Sequence, residues 1–445
     1  MLSTQKHTPQ LGLFLNIDDQ VNQKHPLYLL GKHLNWQLFD DAFKKHYSET
    51  MGKPAKPIRL MVSLLILKHL RNLSDENLVE QWAENIYFQH FGGMQHFQPN
   101  IPCVPTELVA FRQRIGEAGM ELILKESIRI NEPDDKSNYG DVVSIDTTVQ
   151  EKNITYPTDD KLYKKIIKKC WKIADKEGVD LRQSYIRVVK ILSTRQRFKN
   201  TRHGAKAARK ANKKIKIIAG RWVRELYRKL TPEQLSTHLS SLELYQRALA
   251  QQRSDSNKIY SLHEPDVKCY SKGKEHKKFE FGSKASIVVD QSSGVILGAM
   301  NFTETIHDSK TLPQVLDQFE RINTKQPKEA FVDRGYRGIK QYKETTIFVP
   351  TPNKNITRQQ RKKHSKRAAI EPVIGHLKHD YRLCRNYLKG IAGNTINLLL
   401  AAAAMNFKRR INLWRTEAVR RWLLICKIVI DAYWNFIAQN LKLTF

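Results

Sequence analysis

A short run of β-branched residues, Asp141–Gln150, constrains the fold of this chain more than any other stretch. It reads DVVSIDTTVQ and follows a polar, turn-rich segment, a pattern that predicts a buried β-strand. Asp146 shares a face of this strand with Ser144 and Thr148. Because an unpaired carboxylate in a central strand costs several kcal/mol, Asp146 needs a partner, either backbone amides or a cation such as a metal ion.

Three later stretches predict further strands. Lys277–Phe302 alternates in hydrophobicity around the turn DQSSG and predicts a hairpin. Ala330–Asp333 (AFVD) predicts a short strand that places Asp333 at its carboxyl end, where open α/β sheets hold their sites. Ile347–Pro352 predicts another strand. Helical patterns separate these strands, so the sequence predicts a mixed α/β layer.

A third acid, Glu371, lies in the segment RAAIEPVIGHLKHDYRL. Apolar residues recur there at helical spacing and predict an amphipathic helix. Pro372 is tolerated only in the first turn of a helix, so Glu371 belongs to that turn. Arg367 and Lys378 lie near the same edge. Taken alone, this row is compatible with an intrahelical ion pair.

The chain of 445 residues carries a net charge of +32. A charge of this size repels itself and implies a polyanionic partner, with nucleic acid the first candidate and a membrane surface the second. No uninterrupted apolar run approaches about 20 residues, and the N-terminus lacks a signal-peptide pattern. We therefore expect no membrane association.

The five cysteines show no CxxC pair and no metal-binding spacing with histidine. A zinc module is not expected, and the odd, scattered set argues against a disulfide framework. This usage fits a reducing cytoplasm.

The sequence predicts four regions. Residues 1–132 form an all-α N-terminal domain, residues 141–158 and 256–410 a mixed α/β domain, residues 159–255 a basic helical insertion, and residues 411–445 a C-terminal helical tail. In the first region, Arg112 and Arg114 stand near the start of a third helix. This arrangement fits either a helix-turn-helix reader of DNA or a plain helical bundle with a basic edge.

Asp146, Asp333 and Glu371 together suggest a shared chemistry. Hard oxygen ligands of this kind hold two Mg²⁺ ions on a phosphodiester, at a separation of about 3.5 to 4 Å. In a strongly basic chain, such a set indicates phosphoryl transfer on a nucleic acid.

These motifs resemble the DDE transposases of bacterial insertion sequences, in the insertion-sequence-four/five superfamily, over about residues 34–410. VSIDTTVQ places the first family aspartate at Asp146, FVDRGYRG the second at Asp333, and IEPVIGHLK the glutamate at Glu371. Arg367 and Lys378 also match the pattern around the glutamate. His364 departs from it, because the family usually has tyrosine there. The basic insertion also differs, since the family commonly carries its insertion between the second aspartate and the glutamate.

The resemblance implies a ribonuclease-H-like mixed sheet and catalysis with two Mg²⁺ ions, for which Mn²⁺ could substitute. It also implies double-stranded DNA as substrate, both the element's terminal inverted repeats and the target, a homodimer in the DNA complex, and a bacterial cytoplasmic, nucleoid-associated location. His307 and Asp308 fall in a histidine-aspartate stretch that would orient the metal ligands. The expected DNA contacts are Arg112, Arg114, Arg334, Arg337, Arg367 and Lys378.

Two alternatives remain open at this stage. One is a catalytically inactive, transposase-derived protein that binds specific DNA sequences. The other is a ribonuclease-H-like nuclease for RNA–DNA hybrids, for which a domain that reads duplex ends would be superfluous.

Overall fold

The computed structural model of the protein describes residues 16–48, 50–135, 137–252, 254–271, 278–350 and 357–441. The N-terminal residues used above to exclude a signal peptide, 1–15, lie outside this set, as does Lys277 at the start of the predicted hairpin.

The N-terminal region is helical, as predicted. Its helices are α1 (Ile17–Gln20), α2 (Pro26–His33), α3 (Trp36–Phe43), α4 (Ile58–Leu70), α5 (Asp75–Glu84), α6 (Ile86–Phe91) and α7 (Pro105–Arg129). Ser74 precedes Asp75 and Glu76, a pattern that predicts a helix start, and it caps α5 by accepting the amide of Asn77. The stretch 73–91 (LSDENLVEQWAENIYFQHF) predicts a single helix, but the structure breaks it at Asn85. The Asn85 side chain accepts the amides of Tyr87 and Phe88 and starts α6.

The catalytic region contains a seven-stranded mixed sheet. Its strands are β1 (Val142–Glu151), β2 (Lys268–Ser271), β3 (Phe279–Asp290), β4 (Ile296–Phe302), β5 (Glu329–Phe331), β6 (Gln341–Tyr342) and β7 (Thr345–Phe348). The order is β2-β3-β1-β5-β7-β6, and β4 pairs with β3. Strand β1 lies between antiparallel β3 and parallel β5. This arrangement confirms the mixed α/β fold.

The insertion forms four helices, α8 (Asp159–Lys176), α9 (Ile186–Gln196), α10 (Gly204–Lys229) and α11 (Pro232–Ala250). They enclose a hydrophobic core of their own, separate from the core of the rest of the chain. Trp222, which is 1% exposed, packs in this core, whereas Trp171 and Phe198 of the same region are exposed.

The remaining helices are α12 (Asp308–Asn323), α13 (Arg358–Arg367), α14 (Ile370–Asp380) and α15 (Gly390–Leu441). The polar, basic stretch 353–367 predicts a loop, but residues 358–367 form α13, while residues 353–356 lie outside the described residues. The side-chain patterns of residues 394–412 and 417–441 predict two helices, and the structure has the single helix α15. The first turn of α14 contains Glu371, as predicted.

One hydrophobic core runs through the N-terminal helices, the sheet and α15. Asn406 on α15 joins these layers, because its amide nitrogen donates to Ser127 Oγ of α7 at 3.1 Å and to the Ile296 carbonyl of β4 at 2.9 Å. The predicted boundary after residue 132 thus separates two regions that share a core.

Helix α15 contains the one described stretch, Gly390–Ile430, that is long and apolar enough to cross a membrane. However, 78% of its most apolar window is buried inside the protein, as in the core helix of a folded domain.

Candidate active site

Asp146 lies near the middle of β1, where the parallel and antiparallel halves of the sheet meet. Its carboxylate accepts the amide of Thr147 at 2.7 Å, and Arg367 Nη1 lies 3.9 Å from its other oxygen. The side chain is 18% exposed. Both partners that the sequence allowed, a backbone amide and a cation, are therefore present.

Asp308 lies beside Asp146, at the start of α12. It accepts hydrogen bonds from Thr147 Oγ1 at 3.0 Å and from Lys284 Nζ at 2.6 Å. His307 caps this helix, because its Nδ1 accepts the amide of Ser309. Thr147 thus contacts two carboxylates, through its amide and through its hydroxyl.

Asp333 follows β5 and starts a tight turn. Its Oδ1 accepts the amide of Gly335 at 2.8 Å. A Cβ atom on Gly335 would lie 3.0 Å from Asp333 Oδ1 and also 3.0 Å from Asp308 Oδ2. A larger residue here would press on both carboxylates, so glycine allows both to lie close to the turn.

Tyr336 lies fully buried beneath these acids. Burial raises the pKa of its phenol well above the ordinary value, and the negative charges of Asp308, Asp146 and Asp333 raise it further. Since charge interactions weaken with distance, the three aspartates all lie near this one phenol, which stays protonated.

Glu371 lies on α14, which packs against β1 through its buried face. Its own side chain is exposed. Among the described residues it makes no ion pair: Arg367 lies near Asp146 instead, and Lys378 lies 3.9 Å from the buried Glu280. The intrahelical ion pair that the sequence allowed is therefore not formed.

The donors fit a hard divalent cation in kind, because carboxylate oxygens are what Mg²⁺ prefers. Within the described ranges, however, no three acidic, histidine or cysteine side chains lie close enough together to hold one ion. Asp146 and Asp333 share the environment of Tyr336, while Glu371 stands apart on its helix. Metal binding would therefore need the Glu371 carboxylate to approach β1.

Of the other four predicted DNA contacts, one is buried in an ion pair and three are exposed. Arg112 is 3% exposed and makes two hydrogen bonds to Asp75, at 2.9 and 2.6 Å, so its prediction as a DNA contact is wrong. Arg114 is exposed and lies over the ring of Tyr47. Arg334 and Arg337 are exposed beside Asp333.

His364, at the position where the resembling family has tyrosine, meets the ring of Phe331 edge-on at 5.0 Å. Burial, and then the charge of Arg367, lowers its pKa. The side chain is therefore a neutral packing residue at neutral pH.

Sequence reasoning missed Thr147, Lys284, Gly335 and Tyr336. Three of them are neighbours of the predicted aspartates in IDTT and DRGYRG, and adjacency was the available signal. Lys284 had no local signal, because it reaches the site only through the pairing of β3 with β1.

Comparison with known proteins gives a consistent result. Residues 15–114 match a family described as a transposase domain, and residues 252–407 match the transposase DDE domain. The chain is also 39% identical over 183 residues to the uncharacterised protein ORF8 in the nfe locus of Rhizobium meliloti, covering 41% of this chain and 88% of that protein. No solved structure matches the chain.

The DDE domain has the ribonuclease-H-like fold and generally uses divalent metal ions, and proteins that carry it are typically cytoplasmic enzymes that act on DNA. The two matches together span more than half of the residues. The chain therefore belongs to the DDE transposase family.

Proposed function

We propose that this transposase binds the terminal inverted repeats of its element as duplex DNA and catalyses Mg²⁺-dependent strand cleavage and strand transfer. The observation that carries the proposal is the grouping of Asp146, Asp308 and Asp333 around one buried phenol, beside the helix that carries Glu371. Carboxylates gathered in this way repel one another, and bound cations would relieve that repulsion.

Asp146, Asp333 and Glu371 would hold two Mg²⁺ ions, with Mn²⁺ as a possible substitute. When bound, such ions activate an attacking water or 3′-hydroxyl and stabilise the leaving oxygen. Lys284 offsets the charge of Asp308 and keeps that carboxylate in place, so Asp308 acts as a positioning residue, and His307 supports it by capping α12.

The basic side chains around the acids would hold the substrate. Arg334 and Arg337 follow Asp333 in the chain, are exposed, and would bind phosphate oxygens through their guanidinium groups. Arg367, which faces Asp146 at 3.9 Å, and Lys378 would turn to phosphates when metal ions neutralise the carboxylates. Arg114, on the N-terminal helices, would contribute to binding the element ends.

Two copies of the chain would bring two element ends together on the nucleoid. The C-terminal part of α15 supports a homodimer, because Trp422, Leu424, Ile425 and Ile428 are each more than half exposed. Apolar side chains clustered in this way ordinarily mark an interaction surface.

The test is cleavage of a supercoiled donor plasmid that carries the element ends, with and without Mg²⁺. We expect Asp146→Ala, Asp333→Ala and Glu371→Ala each to lower the cleavage rate by about 10²-fold or more, because each removes electrostatic stabilisation of the transition state. End binding measured in EDTA should stay close to that of the wild type.

Asp317→Asn is the matched control. This acid is exposed on α12, away from the site, and pairs with Lys343, so its loss should leave cleavage unchanged. Wild-type activity in all three alanine variants would reject the assignment. Specific end binding by a wild-type protein that never nicks DNA would instead identify an inactive DNA-binding protein.

A further inference from the structure

The helical insertion carries a one-sided charge that the catalytic site does not use. From Leu181 to Arg224 the chain has fifteen lysine and arginine residues and no aspartate or glutamate. An ordinary solvated helix mixes both signs, because like charges repel one another. This segment covers α9 and most of α10.

Helix α10 arranges part of this charge as a straight row. Seven exposed residues follow one another at intervals of three or four along one face, and we call them the α10 stripe: Lys206, Lys210, Lys213, Ile217, Arg221, Arg224 and Arg228. Six of the seven are basic. At a rise of about 1.5 Å per residue, the row is roughly 33 Å long, close to one turn of duplex DNA.

The helix that carries the stripe holds little acid of its own. Glu225 is the only acid on α10, and it pairs with Lys229 on another side of the helix at 2.9 Å. Among the described residues, no member of the stripe forms an ion pair within 4.0 Å. Arg221 donates to the hydroxyl of Tyr185, which carries no charge.

We propose that the α10 stripe binds the phosphate backbone of duplex DNA without reading its sequence, as a second DNA contact of the transposase. The inference rests on the proposed function for its substrate class. A recognition helix reads bases through its N-terminal residues, whereas the stripe runs along the whole helix. Regularly spaced cations suit the phosphate backbone, which carries no sequence information.

An anionic membrane is the less suitable partner. A helix that lies in a membrane surface inserts its apolar face into the lipid, but the apolar face of α10 is already buried in the insertion core, with Ile215, Ile218 and Trp222 each at most 1% exposed. Ile217, at 43% exposed, is the one apolar member of the stripe.

The test compares full-length wild-type protein with the triple variant Lys206→Gln, Lys210→Gln and Lys213→Gln. Affinity for a duplex of arbitrary sequence is measured in EDTA over a series of salt concentrations. The slope of log K against log salt should become shallower by about 2 to 3, because about 0.9 is lost for each phosphate contact. The affinity of the variant for element-end DNA should fall by the same factor as its affinity for the duplex of arbitrary sequence.

Two controls make this result interpretable. Replacing the same three lysines by arginine keeps the charge and should keep the slope. Replacing Arg321, Lys328 and Lys343 by glutamine removes equal charge from exposed residues already paired with carboxylates, and should change the slope little. Circular dichroism checks that every variant is folded.

The proposal is overturned if the glutamine variant of the stripe keeps the wild-type salt slope, or if the control variant of Arg321, Lys328 and Lys343 loses as much slope. It is also overturned if the stripe variant binds DNA normally and only its binding to vesicles of anionic lipid is weakened. Because binding is measured without metal, a wild-type protein that fails to cleave DNA would contradict the proposed function and leave this result intact.

Discussion

The placement of two carboxylates depends on a residue that has no side chain. Gly335 lets Asp308 and Asp333 approach the same point, each with a carboxylate oxygen 3.0 Å from where a Cβ would stand. Gly335→Ala should push the two acids apart while leaving the turn folded. Since small misplacements in a site are costly, we expect cleavage to fall about tenfold to a hundredfold, with a higher Mg²⁺ concentration needed for half-maximal rate.

Gly375 offers the matched glycine control. It lies on α14 close to Glu371, and a Cβ there would meet nothing within 4 Å. Gly375→Ala should therefore keep the wild-type rate and metal dependence. Equal losses in both variants would mean that the site tolerates no added methyl group, and the argument for Gly335 would fail.

At this scale the sequence is informative where a residue's role depends on its neighbours along the chain. Asp333 could be placed at a strand end and Glu371 in a first turn, because both depend on local patterns. Arg112 could not be assigned correctly, because its partner Asp75 is 37 residues away and only folding brings them together. A basic residue in a DNA-binding chain looks the same in sequence whether it is buried or exposed.

The buried pair of Arg112 and Asp75, together with Lys68, joins three helices. Asp75, in the first turn of α5, binds Arg112 of α7 and Lys68 of α4, at 2.6 and 2.8 Å. Burial raises the pKa of Asp75, but the hydrogen bonds from Arg112 and the charge of Lys68 outweigh it, and the pKa falls to about 2. Burial lowers the pKa of Lys68 to about 8, so both cations are charged at neutral pH.

Asp75→Asn should destabilise the fold by about 3 kcal/mol at neutral pH, because it leaves two buried cations unpaired. The carboxylate's contribution is present above its unfolded pKa of 3.8 and is lost as pH falls towards about 2. Urea unfolding at several pH values should show the difference between wild type and variant shrinking over that window.

Asp41→Asn is the control for this measurement. Asp41 is an exposed acid on α3 whose partner Lys44 is also exposed, so its loss should change stability little. A constant difference between wild type and Asp75→Asn down to pH 2 would show that the carboxylate's charge is not what joins the helices.

Elements were predictable where their own residues carry a strong pattern, as in the almost continuous apolar run of α4 and the alternating hairpin of β3 and β4. Strand β2 and the two-residue strand β6 were missed, because their pairing partners and not their own residues define them. Helix α15 was divided in two because its burial changes along its length, with Phe407 in the core and Leu423 exposed. That change alters the side-chain pattern without interrupting the helix.

The whole molecule is organised around that same helix. The first part of α15 closes the core between the N-terminal helices and the sheet, and Asn397 joins both by contacting His69 of α4 and Gln150 of β1. Burial lowers the pKa of His69 to about 3, so this contact carries no charge at neutral pH. No local pattern in the sequence could show that residues so far apart meet here.

The second part of α15 leaves the core and exposes apolar side chains. Leu424 and Ile428, four residues apart on one face, are 58% exposed each. If two copies of the chain associate through this face, replacing both residues by aspartate should convert a dimer into a monomer, because two charges would have to be buried in the interface. Sedimentation velocity at a fixed salt concentration gives the mass directly.

Thr416→Asp and Ala418→Asp together form the matched control, since they add the same charge to α15 at exposed positions that are not large apolar side chains. This variant should remain dimeric. A monomeric wild type, or a Leu424 and Ile428 variant that keeps the dimer mass, would contradict the role given to α15. If the Leu424 and Ile428 variant loses both the dimer and the coordinated cleavage of two ends, but still binds a single end, then α15 acts in assembly. Its role is then separate from the chemistry of Asp146, Asp333 and Glu371.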